Sequence, residues 1–301
     1  MNPKMSQFIL VGGIGRSGTS ILAKTLASSK NSEFFYEPPV FMHFLENLNK
    51  LKTDSYDWKS FLNTLIFNDL MKGALSGRTL NLNRHDISSV YNYKEESEVS
   101  ERFQESFRQK DLEELLKSSN GIIKVLDAIY NFEKLDSILP VFKAVIILRN
   151  PISVARSIQA KSWFSDESLG NKGAEPLRFM DRVDGFRYPL FLDKSEYGSW
   201  RSSTELERIA KYCHFHYQAF KLLTKNKNVT FIKYDDLVSS PNLTIRILYD
   251  KLNLEFGSKT SAILDSISLQ SSLDEEFAMN YPNLRLGMAS IDSYQELIAS
   301  L

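Results

Sequence analysis

The stretch Gly12-Gly13-Ile14-Gly15-Arg16-Ser17-Gly18 does most to limit how this chain can fold. It follows a short apolar run, Phe8-Ile9-Leu10-Val11. It precedes Thr19–Ser28, where Ile21, Leu22, Thr25 and Leu26 recur at helical spacing. An uninterrupted apolar run of that length reads as a strand buried on both faces of a parallel sheet. Glycines between such a strand and a helix let the backbone curl, so that successive N–H groups point inward as an anion nest. The helix that follows adds its positive N-terminal end, and Thr19 and Ser20 add hydroxyl donors. The chain therefore reads as α/β, with an anion-binding loop at the carboxyl end of its first strand.

The loop matches the phosphate-binding spacing G-x-x-x-x-G-K-[ST] with one substitution. Thr19 stands where the lysine belongs, and the cation is Arg16, three residues earlier. A nucleoside triphosphatase needs that lysine on the β- and γ-phosphates, with magnesium beside it. This loop reads instead as a site for a 5′-phosphate that carries no γ-phosphate.

A second anion site is expected after the clearest strand, Ala144–Leu148. Arg149 stands at its carboxyl end, where open α/β sheets bind ligands. Pro151 suits the first turn of a helix, and Ser157 lies about two turns into it. Arginine offers forked, charge-assisted bonds to phosphate, and serine adds a hydroxyl. Two anion sites on adjacent strands call for a nucleotide phosphorylated at both ends.

The rest of the chain alternates strand and helix. Glu33–Tyr36, Gly121–Val125 and Val229–Lys233 read as strands. Phe132–Leu139, stopped by Pro140, reads as a helix. So do about 203–226, the stretch after Pro241, and Tyr294–Ser300. Residues 40–119 read mainly as helices, with Phe103, Phe107, Leu112, Leu115 and Leu116 on one face of the last. Residues 164–202, rich in glycine, proline and charges of both signs, read as a long irregular insertion of the kind that carries substrate contacts. Strand–helix alternation predicts a central, mostly parallel sheet flanked by helices. One domain over residues 1–301 is expected, with the insertion on its substrate side.

Composition narrows the function. Lys+Arg and Asp+Glu are both 37, so the net charge is zero, which argues against a polycation that coats nucleic acid or anionic membrane. One cysteine, Cys213, permits neither an intramolecular disulfide nor a cysteine zinc cluster. His214 and His216 are two apart and face different sides of a helix, so no shared metal is expected. No apolar run approaches the ~20 residues of a membrane span, and Met1–Gln7 has no signal-peptide plan. A cytoplasmic protein without a transmembrane segment is the resulting expectation.

With both anion motifs in view, the chain resembles the sulfotransferases that use 3′-phosphoadenosine-5′-phosphosulfate (PAPS). Gly15-Arg16-Ser17-Gly18-Thr19-Ser20 resembles their 5′-phosphosulfate loop, [KR]-S-G-[TS]-[TS]. Arg149-Asn150-Pro151 with Ser157 resembles their 3′-phosphate motif. Lys124 at a strand end, Phe231–Leu237 with Pro241, and Arg285-Leu286-Gly287 are similar to further family segments in the same order. The resemblance covers about residues 7–255 well and the tail poorly. It implies a P-loop-like three-layer fold and PAPS as co-substrate, with PAP as product and no metal. It implies that the loop amides, Thr19 and Ser20 bind the 5′-phosphate, and that Arg16 sits at the bridging oxygen. Arg149 and Ser157 would hold the 3′-phosphate, with Arg285 as helper, and Lys124 would lie near the transferred group.

The family's K-T-H-L-P histidine is missing, since Lys124-Val125-Leu126-Asp127 occupies the comparable stretch. That departure argues against the phenol- and steroid-sulfating branch. Other branches use a glutamate a little over twenty residues past the loop cation, and Glu37 is 21 residues after Arg16. Glu37 is therefore the expected general base, with Asp127 and His85 as outside candidates. The expected acceptor is a hydroxyl of a glycan or other alcohol, with tyrosine or a phenol second. A P-loop nucleotide kinase and a non-catalytic PAP-binding module are the rival readings.

Overall fold

The computed structural model describes residues 7–51, 57–103, 109–170, 180–267 and 275–301. Its strands are β1 (Phe8–Gly12), β2 (Ser32–Tyr36), β3 (Asn120–Leu126), β4 (Phe142–Leu148), β5 (Met180–Val183), β6 (Phe186–Pro189) and β7 (Val229–Lys233). Five of them form one sheet in the order β2-β3-β1-β4-β7, and every neighbouring pair is parallel. β5 and β6 form a separate antiparallel hairpin.

The apolar run of β1 needs both faces of that sheet covered. Phe8 and Leu10 point into one hydrophobic cluster, Ile9 and Val11 into the other. All four are fully buried, which stabilises the fold by about 1.5–3 kcal/mol per large side chain. On one face lie α1 (Thr19–Ala27) and, later in the chain, the helix Pro241–Leu252, through Leu22, Leu26, Ile245 and Leu248. On the other lie α2 (Pro39–Asn47), α3 (Pro151–Gln159) and α4 (Glu205–Leu222), through Phe41, Val154, Ile158 and Ile209. The result is an α/β fold with a central parallel sheet flanked by helices.

Strand order also places the site. β1 and β4 are neighbours, with Gly12 paired to Ile146. The chain leaves β1 through α1 toward one sheet edge and leaves β4 through α3 toward the other. This is a topological switch point, where a crevice opens beyond the carboxyl ends of the strands.

Several elements differ from the sequence reading. The tail helix α5 (Arg285–Ala299) is longer than Tyr294–Ser300. It buries Gly287, Ser290 and Ser293 along with Leu297, so close packing on α4 uses small residues that leave no apolar periodicity. Phe103 does not belong to the helix carrying Leu112, Leu115 and Leu116. That helix is Gln109–Ser118, while Phe103 is exposed after the helix Glu96–Glu101. Phe107 lies outside the described residues. The stretch 164–202 is more regular than its glycines and prolines suggest. It carries helices Asp166–Gly170 and Tyr197–Ser202 and the β5–β6 hairpin. Buried Phe164, Tyr188 and Trp200 pin it to the core. No helix among the described residues is long and apolar enough to cross a membrane.

Candidate active site

The first wall of the crevice is the turn between β1 and α1. Its φ angle is positive at Arg16 (71°) and Gly18 (98°) but not at Gly15 or Ser17. That alternation curls the turn as in an anion nest, with the Gly13, Gly15 and Ser17 amides donating to the Leu126 carbonyl, the Tyr212 hydroxyl and the Ile14 carbonyl. Arginine in the left-handed region costs about 1–3 kcal/mol and persists only where its surroundings hold it. Gly15 and Gly18 are fixed by aromatic neighbours. A Cβ on Gly15 would lie 2.7 Å from the Trp163 ring, and one on Gly18 would lie 2.7 Å from the Tyr234 ring. No side chain caps the N-terminus of α1, and its first turn holds no acid. Its amides and its positive end are thus left for an anion. The buried Ser17 hydroxyl has no hydrogen-bond partner among the described residues.

The second wall is the turn from β4 into α3. Arg149 Nη1 donates to the Arg16 carbonyl at 2.9 Å, and its guanidinium lies 4.3 Å from the Tyr234 ring centre. Arg16 Nε donates to Ser157 Oγ at 3.1 Å. The two motifs, well over a hundred residues apart, therefore touch directly. Here the helix N-terminus is closed, because Asn150 Oδ1 accepts from the Ile152 amide at 2.9 Å.

Glu37 directly follows β2, and Lys124 lies within β3, two residues before its end rather than at it. Tyr36 pairs with Lys124 in the sheet, and the Glu37 amide donates to the Lys124 carbonyl at 3.1 Å. Glu37 then takes a φ of 47°, and Lys124 Nζ reaches its Oε1 at 2.5 Å. The same ammonium lies 4.0 Å from the Tyr36 ring centre.

One cavity of about 370 Å³ gathers these groups: Arg16, Gly18, Thr19, Ser20, Glu37, Lys124 and Arg149 all line it. Among the described residues, Glu37 is the one acid in its lining. Tyr36, Trp163 and Tyr234 also line it; none is among the expected site residues, although Trp163 borders the 164–202 insertion and its ring suits stacking. Adjacency to Glu37 is a signal for Tyr36. Gly15, Ser17 and Ser157 are not in the lining, and neither is Arg285. It is the exposed first residue of α5, which packs against α3. His85 is exposed and also outside the lining.

Asp127 serves a layer behind the cavity. Its Oδ2 accepts from the Tyr212 hydroxyl at 2.9 Å, and that hydroxyl accepts from the Gly15 amide at 3.2 Å. His216 Nε2 is 3.8 Å from the same carboxylate, and burial holds its imidazole below the usual range. Burial, with the charge of Asp127 added, pushes Glu46 up to about 8. Cys213 is buried on α4, and burial pushes its thiol up to about 12, which suits packing rather than nucleophilic attack.

Residues 8–258 match the model of the sulfotransferase family. The chain belongs to the sulfotransferase family. Solved structures similar to it include a sulfotransferase from Alicyclobacillus acidocaldarius, at 14% identity over 98% of this chain and 96% of that one, with a TM-score of 0.46. Another is a sulfotransferase domain from the curacin biosynthetic pathway, at 14% identity over the same shares, with a TM-score of 0.49. No curated protein sequence matches the chain significantly. A sulfotransferase handles an anionic group, and this cavity has the matching character: Arg16, Lys124 and Arg149, open helix amides and one carboxylate. Among the described residues no cluster of histidine, cysteine or carboxylate side chains could hold a metal.

Proposed function

We propose that this sulfotransferase moves a sulfonate group from PAPS to an acceptor hydroxyl of a glycan or other alcohol, with Glu37 as general base. One observation carries the reading: Arg16, Lys124, Arg149 and the uncapped end of α1 share a cavity with a single acid among the described residues. PAPS supplies a sulfonate already activated as a mixed anhydride. The loop amides, Thr19 and Ser20 hold the 5′ side, while Arg149 and Ser157 hold the 3′-phosphate. Glu37 takes the acceptor proton as the acceptor oxygen bonds to sulfur. The bond from sulfur to the 5′-phosphate oxygen breaks with its electron pair, and Arg16 and Lys124 stabilise the departing charge. Catalysis of this kind rests on positioning and charge stabilisation. The same proposal treats residues 1–301 as one unit, with the 164–202 insertion on the acceptor side.

The test is calorimetric titration with PAP, adenosine 5′-phosphosulfate and ATP–Mg²⁺. PAP should bind most tightly, and Arg149→Ala should weaken it by about 1.5–3 kcal/mol, as expected for a charged hydrogen bond. Preference for ATP–Mg²⁺ would replace this reading with a kinase. PAP binding without transfer to any acceptor would leave a nucleotide-binding module.

A further inference from the structure

Both walls of the cavity are tied to the same helix. Tyr212 of α4 holds the first, where its hydroxyl accepts from the Gly15 amide and donates to Asp127. Tyr217 of α4 holds the second, where its hydroxyl donates to the Arg149 carbonyl. Both tyrosines are buried. They are five residues apart on the helix, about 7.5 Å of helix rise. Neither lines the cavity, so neither touches a ligand there.

The two contacts fall where the backbone needs support. The hydrogen bond from the Gly15 amide holds the Ile14–Gly15 peptide, one unit ahead of Arg16, whose left-handed φ has to be held in place. The Arg149 carbonyl bond fixes the main chain at the exit from β4, just before Pro151. From there the Arg149 guanidinium reaches the Arg16 carbonyl.

We propose that α4 sets the spacing between the two anion sites, with Tyr212 positioning the 5′ site and Tyr217 the 3′ site. The protein would thereby select a nucleotide phosphorylated at both ends. This rests on the reading of the cavity as the PAPS site. Tyr212 and Tyr217 are positioning residues, acting through Gly15 and Arg149.

Calorimetry with two ligands separates the roles, because PAP carries both phosphates and adenosine 5′-phosphosulfate lacks the 3′-phosphate. Tyr212→Phe should weaken both ligands about tenfold, the effect of one lost hydrogen bond. Tyr217→Phe should weaken PAP about tenfold and leave adenosine 5′-phosphosulfate within about twofold. For Tyr217→Phe the ratio of the two dissociation constants is the deciding readout, since a purely structural loss leaves that ratio unchanged. For Tyr212→Phe it is the loss of affinity for both ligands well below the variant's melting temperature, where a purely structural loss leaves both constants unchanged. Unchanged constants in both variants, or an unchanged ratio in Tyr217→Phe, would overturn the proposal. Should Tyr212→Phe fail to fold, Asp127→Ala carries the same expectation, because it removes the acceptor of the Tyr212 hydroxyl. Failure of the wild-type protein to bind PAP would instead count against the underlying reading of the cavity.

Discussion

The two strand–turn–helix junctions that face each other across the cavity have the same plan and opposite finishes. At the first, α1 starts without a side-chain cap, and its amides are free for a ligand. At the second, Asn150 caps α3, so the junction offers a side chain instead, Arg149, with Ser157 hydrogen-bonded to Arg16 behind it. A helix end can meet an anion with backbone or commit that backbone to its own cap, and the choice decides which substitutions will matter. The first junction should be sensitive to changes in backbone shape. The second should be sensitive to loss of a charged side chain.

The largest expected effect lies at neither junction. Glu37→Gln removes the proposed base but keeps an amide oxygen for Lys124. Turnover should fall by ~10²–10⁴-fold while PAP affinity stays close to wild type. Steady-state kinetics beside calorimetry checks this. A variant that kept its turnover but lost PAP affinity would make Glu37 part of the donor site, and the division of labour drawn above would break.

Gly18→Ala tests the backbone side of the comparison. The residue has a φ of 98°, and a Cβ would lie 2.7 Å from the Tyr234 ring. Strain of this type costs on the order of 1–3 kcal/mol. Either the nest or Tyr234 must move, and Tyr234 also carries the Arg149 guanidinium. PAP should bind roughly five- to 150-fold more weakly by calorimetry, the same energy expressed as an equilibrium constant. Wild-type affinity would mean that the first junction does not depend on its backbone shape.

These junctions are legible in the sequence because their chemistry is local. Gly15 to Ser20 and Arg149 to Ser157 each lie within a short run of chain at a strand end, so the expectation of two neighbouring anion sites can be formed from the two motifs taken together. Glu37 needs the family resemblance, since one glutamate before two prolines carries no pattern of its own. Tyr212 gives no signal, because its partner Gly15 is 197 residues away and only the packing of α4 on the sheet brings them together. Helix α5 is longer than its sequence pattern for a related reason. Its buried face is made largely of glycine and serine, which pack closely without marking an apolar stripe.

The smallest expected effect concerns the layer beneath the first junction alone. Glu46 has a pKa raised from 4.5 to about 8, first by burial and then by the negative charge of Asp127. Between those values the folded protein keeps a proton that the unfolded chain releases. The unfolded state then binds fewer protons, so stability falls as pH rises through this window and levels off above it. Glu46→Gln removes that titration and still offers an oxygen to the Tyr130 hydroxyl, which donates to Glu46 Oε2 at 3.3 Å. Urea denaturation across the window should show a shallower loss of stability in the variant, with its advantage greatest at the alkaline end. Identical slopes would mean that Glu46 is ionised in the folded protein. Asp127 would then share its surroundings with a second charge, and the support that Tyr212 gives the first junction would have to tolerate it.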